Sequence, residues 1–200
     1  MLTVVTVPAV QPIELADVKA HLRITGSRED DTLGRYIAGS VSALEERLRR
    51  SLITRRYALE VPAWPGDEWP IDAASVRLRR CVDDREGQRL RLPRPPIQRL
   101  VAVETVTADG TATALTGLLL VDGAILRPDT GWPELATGDR IRVTFEAGHG
   151  ASASTMPADV QHALRLYVGD MYLNREPSTA SPDAPGTMAL FHRRAERWSI

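Results

Sequence analysis

The chain has 200 residues, 43% of them hydrophobic, with 25 lysines and arginines against 26 aspartates and glutamates, for a net charge of −1. That length is enough for one globular domain with a real core, and the charge balance argues against a protein that coats nucleic acid or membrane with its whole surface. A single cysteine, Cys81, excludes an internal disulfide, and four scattered histidines without cysteine partners exclude a conventional structural zinc site.

The opening Met1–Pro8 is apolar but short and lacks a basic region, so no signal peptide is expected. No apolar run approaches the roughly 20 residues that cross a bilayer, so the expectation is a soluble chain made in the cytoplasm. The spacing then predicts a helix from Pro12, with Leu15, Val18 and Leu22 on one face and Gly26 suited to its end. A longer helix is predicted over 29–50, with Leu33, Ile37, Val41, Leu44 and Leu48 in register. Glu29, Asp30 and Asp31 at its start and Arg47, Arg49 and Arg50 at its end match the helix dipole.

From Tyr57 the period changes to two. Strands are predicted over 57–61, 75–82, 88–92, 100–107, 113–121, 124–127 and 140–147, separated by turns such as Ala-Asp-Gly at 108–110 and Asp-Gly at 122–123. Strands joined by tight turns favour an antiparallel sandwich or small barrel. A helix follows over 157–175, then a proline-rich linker from Pro177, then a tail with Met188, Phe191, Ala195 and Trp198 at helical spacing.

The 157–175 helix carries apolar residues on two sides. Val160, Ala163, Leu164, Tyr167, Val168 and Met171 form a broad stripe fit for a core, while Leu166 and Leu173 form a second, narrow one. A second stripe is useful where a neighbouring subunit covers it, or where the chain's own tail does.

Chemistry is sparse. There is no glycine-rich phosphate loop, no His-Glu-x-x-His and no Gly-x-Ser-x-Gly. His149, in Gly-His-Gly just past a strand, is a candidate catalytic base if Asp139, Asp159 or Asp170 orients it and Ser152 or Ser154 serves as nucleophile, which would make a small hydrolase. The plainer reading is a turn residue between glycines. In the 75–92 hairpin, alternation turns Leu90 and Leu92 inward and sets Arg77, Arg79, Arg89 and Arg91 on the opposite face. Such a basic face could meet phosphate as a nucleic-acid-binding module, a partner's carboxylates, or solvent.

An ordered series of segments resembles the head–tail connector (adaptor) proteins of long-tailed phages and phage-like gene transfer agents. It starts at Leu15-Ala-Asp-Val-Lys-Ala-His-Leu-Arg-Ile and Arg50-Ser-Leu-Ile-Thr-Arg-Arg-Tyr. It continues through Leu92-Pro-Arg-Pro-Pro-Ile, Val103-Glu-Thr-Val-Thr-Ala-Asp-Gly and Arg140-Ile-Arg-Val-Thr-Phe-Glu-Ala-Gly-His-Gly. Met156-Pro-Ala-Asp-Val-Gln-His-Ala-Leu and Tyr172-Leu-Asn-Arg-Glu close it. The stretch from Trp64 to Val82 is longer than that family leads one to expect, and His149 stands where an aromatic is expected.

The residues and the resemblance together give an α+β fold, a helical bundle of N- and C-terminal helices with an inserted antiparallel β-sandwich or barrel-like section. Its expected divisions are a helical part (1–56), a β section (57–150), a core helix completing the helical part (151–176), and a linker with a partner-binding tail (177–200). The resemblance implies a non-enzymatic virion protein of the neck, without cofactor or metal. It implies a homo-oligomeric ring, commonly of twelve, beneath the capsid portal protein, with a downstream tail or stopper protein below. DNA would pass through its channel without sequence-specific binding. Leu166 and Leu173 would then lie at the subunit interface, and Met188, Leu190, Phe191 and Trp198 would reach the portal.

Overall fold

A computed structural model describes residues 1–8, 10–67 and 88–174. Arg77 and Arg79, and the tail residues Met188, Leu190, Phe191 and Trp198, lie outside the described residues. Two compact units share the chain, Met1–Val7 with Thr54–Gly148, and Pro8–Ile53 with the segment that starts at His149.

The helical unit holds α1 (Leu15–Leu22), α2 (Asp30–Leu48) and α3 (Ala158–Leu173). The helix expected from Pro12 begins at Leu15, and it ends at Arg23, whose left-handed backbone (φ 56°) closes it before Gly26 is reached. Lys19 Nζ bonds Asp30 Oδ1 at 2.6 Å and so links α1 to the first turn of α2. In α2, Asp30 and Asp31 occupy the first turn and Arg47 the last, as the dipole favours. Its residues Leu33, Ile37, Val41 and Leu44 are buried with Val18 of α1 and Val160, Ala163, Leu164 and Val168 of α3 in one cluster. Glu45, buried in the same helix, accepts the backbone N–H of Leu52 at 2.8 Å and fixes the turn that leaves α2.

The β unit holds eight strands among the described residues. A five-stranded antiparallel sheet has the order β1 (Leu2–Thr6), β2 (Arg55–Val61), β8 (Arg140–Ala147), β4 (Ile97–Val106) and β5 (Ala112–Ala114). A three-stranded sheet has the order β3 (Arg89–Arg91), β7 (Ala124–Leu126) and β6 (Leu120–Val121). Tyr57 pairs with Phe145, Leu59 with Val143 and Val61 with Ile141, all buried on one face. Leu90 and Ile125 of the small sheet join the same cluster, which is sandwich-like burial by two sheets. No closed barrel forms among the described strands.

Two expectations are corrected. The first residues do not belong with the helices, because Leu2–Thr6 forms β1, with Leu2 opposite Leu59 and Val4 opposite Tyr57 on the sheet's apolar face. The single strand expected over 113–121 is two, because Gly117 takes a positive φ of 80° and separates β5 in the large sheet from β6 in the small one.

Among the described residues Trp64 is the largest fully buried side chain, at 1% exposure. Its ring stacks on Trp132 with centroids 4.6 Å apart, and its indole N–H donates to the Pro133 carbonyl at 2.8 Å.

Candidate assembly interface

The two stripes of α3 have different surroundings. Val160, Ala163, Leu164 and Val168 are buried, and Met171 accepts a hydrogen bond from the Ser40 hydroxyl of α2 at 3.3 Å. Gly169 is buried on the α1 side, where a Cβ would stand 3.3 Å from Leu22, so only glycine allows that approach without displacement. On the outer side Leu166 is half-buried and Leu173 is 75% exposed. The amide of Asn174 bonds the Asp170 carboxylate at 2.7 Å beside it, so the ridge is apolar with a polar margin.

A groove of about 360 Å³ lies in the helical unit. Val10, Ile13, Leu15, Gly34, Ile37 and Ala153 supply its apolar lining, and Gln11, Glu14 and Ser152 its polar part. Gly34 lies inside α2, where glycine costs about 1 kcal/mol relative to alanine. A Cβ there would meet nothing within 4 Å, so no contact in the described chain requires the glycine. Composition and periodicity do not reveal this groove; the one available signal was a glycine placed mid-helix without an evident partner.

In the β unit, Arg89 and Arg91 are exposed on either side of buried Leu90, as alternation predicts. The outer face of the large sheet is charged. Arg99 grips Glu146 through two bonds of 2.7 and 2.9 Å, and Arg56 adds a third at 2.9 Å. These hydrogen bonds, Arg99's first, hold the Glu146 carboxyl at about 2, well below the ordinary carboxylate value. Glu60 is joined in the same way to Arg142 at 2.9 Å. Positive and negative groups are thus interleaved on this face, and it is not a uniformly basic one.

His149 follows the last strand of the sheet, and its backbone N–H donates to the Leu52 carbonyl at 2.8 Å. The hydroxyls of Ser152 and Ser154 bond one another at 2.8 Å, and Asp159 accepts the N–H of Val160 at 3.0 Å at the start of α3. Asp170 lies eleven residues further along α3, about 16 Å from Asp159 at 1.5 Å per residue. The two helical acids are therefore not grouped at one place. Among the described residues no group of three or more His, Cys, Asp and Glu could hold a metal ion, and no helix is long and apolar enough to cross a membrane.

Residues 12–75 match the family model described as phage gp6-like head-tail connector protein. The fold is similar to a chain from the neck of an empty gene transfer agent particle computed with C6 symmetry, with 28% identity and a TM-score of 0.76 over 96% of this chain and 94% of that one. It is also similar to a chain from the virion of a native gene transfer agent particle, with 28% identity and a TM-score of 0.75 over 96% and 94% of the two chains. A third match, from the neck of the native particle computed with C12 symmetry, has 28% identity and a TM-score of 0.74 over 96% and 93%. No curated protein sequence matches the chain significantly. The resemblance to head–tail connectors read from the sequence is borne out.

Proposed function

We propose, on the premise that this chain resembles the head–tail connectors in sequence and in fold, that it is a structural subunit of the neck of a phage-like particle. The observation that carries this reading is the likeness to neck chains across 96% of its length. A match to one small motif would have left the β unit unexplained, whereas this one spans both units. Its role is architectural, in keeping with the neck and virion particles from which the similar chains come.

In this reading the chain forms a closed ring, consistent with the cyclic symmetry under which the similar necks were computed. The ring sits beneath a portal protein, surrounds a channel that DNA crosses without sequence-specific contact, and offers its lower rim to the next tail component. Leu166 and Leu173 contribute to the seam between copies. Because Leu166 is already half-buried, covering the two leucines contributes about 2–4 kcal/mol before the costs of association, so each seam also needs polar contacts or a template on the portal.

The tail from Met188 to Trp198 is the portal-binding arm. Deleting residues 186–200 leaves circular dichroism and the thermal midpoint unchanged, while particles made with the truncated chain lose it from the neck and stay tailless. Normal incorporation of the truncated chain contradicts the arm. The expected result for removal of the whole chain is filled heads without tails.

A further inference from the structure

We propose that the Leu166–Leu173 ridge of one copy seats in the groove lined by Val10, Ile13, Gly34 and Ile37 of the next copy. The proposal rests on the ring reading and deepens it by naming both halves of the seam.

A cyclic ring of more than two copies is held head-to-tail, so each copy must carry two different, mutually complementary surfaces. The helical unit carries one of each kind. Its outer ridge is apolar and exposed at Leu173, and its groove is apolar and open. The ridge offers a protruding leucine side chain and the groove an open apolar recess, so the two surfaces are complementary in shape and polarity.

Their placement fits the same requirement. Gly39 and Ser40 of α2 face α3, since Met171 lies 3.9 Å from where a Gly39 Cβ would stand and also accepts the Ser40 hydroxyl. Gly34 precedes Gly39 by five residues, which turns it about 140° round the helix. The Gly34 wall of the groove is therefore on a different flank of α2 from the Gly39–Ser40 face that α3 covers, while Ile37 borders both the groove and the core. Along α3 itself, Leu173 is at the C-terminal end, and Ala153 of the groove wall lies before the N-terminal end. The fifteen residues from Ala158 to Leu173 separate those ends by about 22 Å. Leu173 and the groove thus lie apart within a copy, which leaves Leu173 free to meet a neighbour's groove.

Gly34 supports this from the side of the groove. The described chain gives it no packing partner, and a side chain there would project into open groove space. Glycine keeps that space clear for an incoming apolar side chain.

The test uses Gly34→Cys combined with Leu173→Cys, with Cys81 replaced by alanine, in chains assembled into particles by a producing cell and then oxidised. The expected result is a ladder of disulfide-linked dimers and higher multimers on non-reducing gels, absent from each single-cysteine variant. A neck that holds several copies of the double variant yet yields no ladder overturns the proposal while leaving the ring in place. A stoichiometry of one copy per particle defeats the ring reading itself, which separates the two failures. Gly34→Leu gives an independent readout. It should keep or raise the thermal midpoint of the purified chain and reduce its incorporation into particles at least tenfold, and unchanged incorporation overturns the groove as a receptor.

Discussion

Glu146 ties three strands together, since it lies on β8 and binds Arg56 on β2 and Arg99 on β4. Its carboxyl titrates near 2 in the folded chain against an ordinary value of 4.5. As pH falls, the unfolded chain therefore takes up the proton first. The stabilisation is complete above about 4.5 and is lost as pH drops through about 2. Because Arg99 is largely exposed, the pairs contribute modestly, and Glu146→Gln should cost roughly 1 kcal/mol at neutral pH. Thermal melts from pH 7 to pH 2 check this, and the gap between wild type and variant should close at the acid end. A gap that persists at pH 2 would mean the glutamine disturbs packing and not charge. At this scale the sequence was legible where burial follows alternation, as with Leu90 between Arg89 and Arg91. It was silent on Glu146, because the partners are 90 and 47 residues away and only the register of β2, β8 and β4 brings them together.

Helices α2 and α3 were readable because amphipathic spacing and end charges act within one segment. β1 was not, since its short run Leu2-Thr-Val-Val-Thr becomes a strand only by pairing with β2, more than fifty residues away. The pairing has a specific consequence. Glu60 N–H donates to the Met1 carbonyl at 2.7 Å, and the Met1 amino group donates back to Glu60. Hydrogen-bonded and open pairs alternate in an antiparallel ladder, so the Thr3–Ala58 pair is also bonded. Deleting residues 1–6 should therefore speed amide exchange at Ala58 and Glu60 by at least tenfold, while Tyr57 and Leu59, whose amides point to β8, stay protected. Equal loss of protection at all four positions would show that β2 itself melts without its neighbour. The split of β5 from β6 was hidden for a related reason, since alternation runs on through 113–121 and only the backbone at Gly117 turns the chain from one sheet to the other.

For the whole molecule, the proposed function rests on surfaces that meet other subunits. The leucine ridge, one half of the proposed seam, was visible in the sequence because two apolar stripes on one helix form a pattern. The other half depends on three segments meeting, Val10–Leu15, the Gly34–Ile37 turn of α2, and Ser152–Ala153, and no local spacing encodes that meeting. The central claim is that this chain acts as one of several identical subunits closed around the particle axis. It is tested most directly by cryo-electron microscopy of particles from the producing cell, reconstructed at the neck without imposed symmetry. The account predicts multiple copies of this fold in a closed ring between head and tail, with Leu173 of each against the next. A neck that lacks this chain, or that holds a single copy of it, would contradict the account.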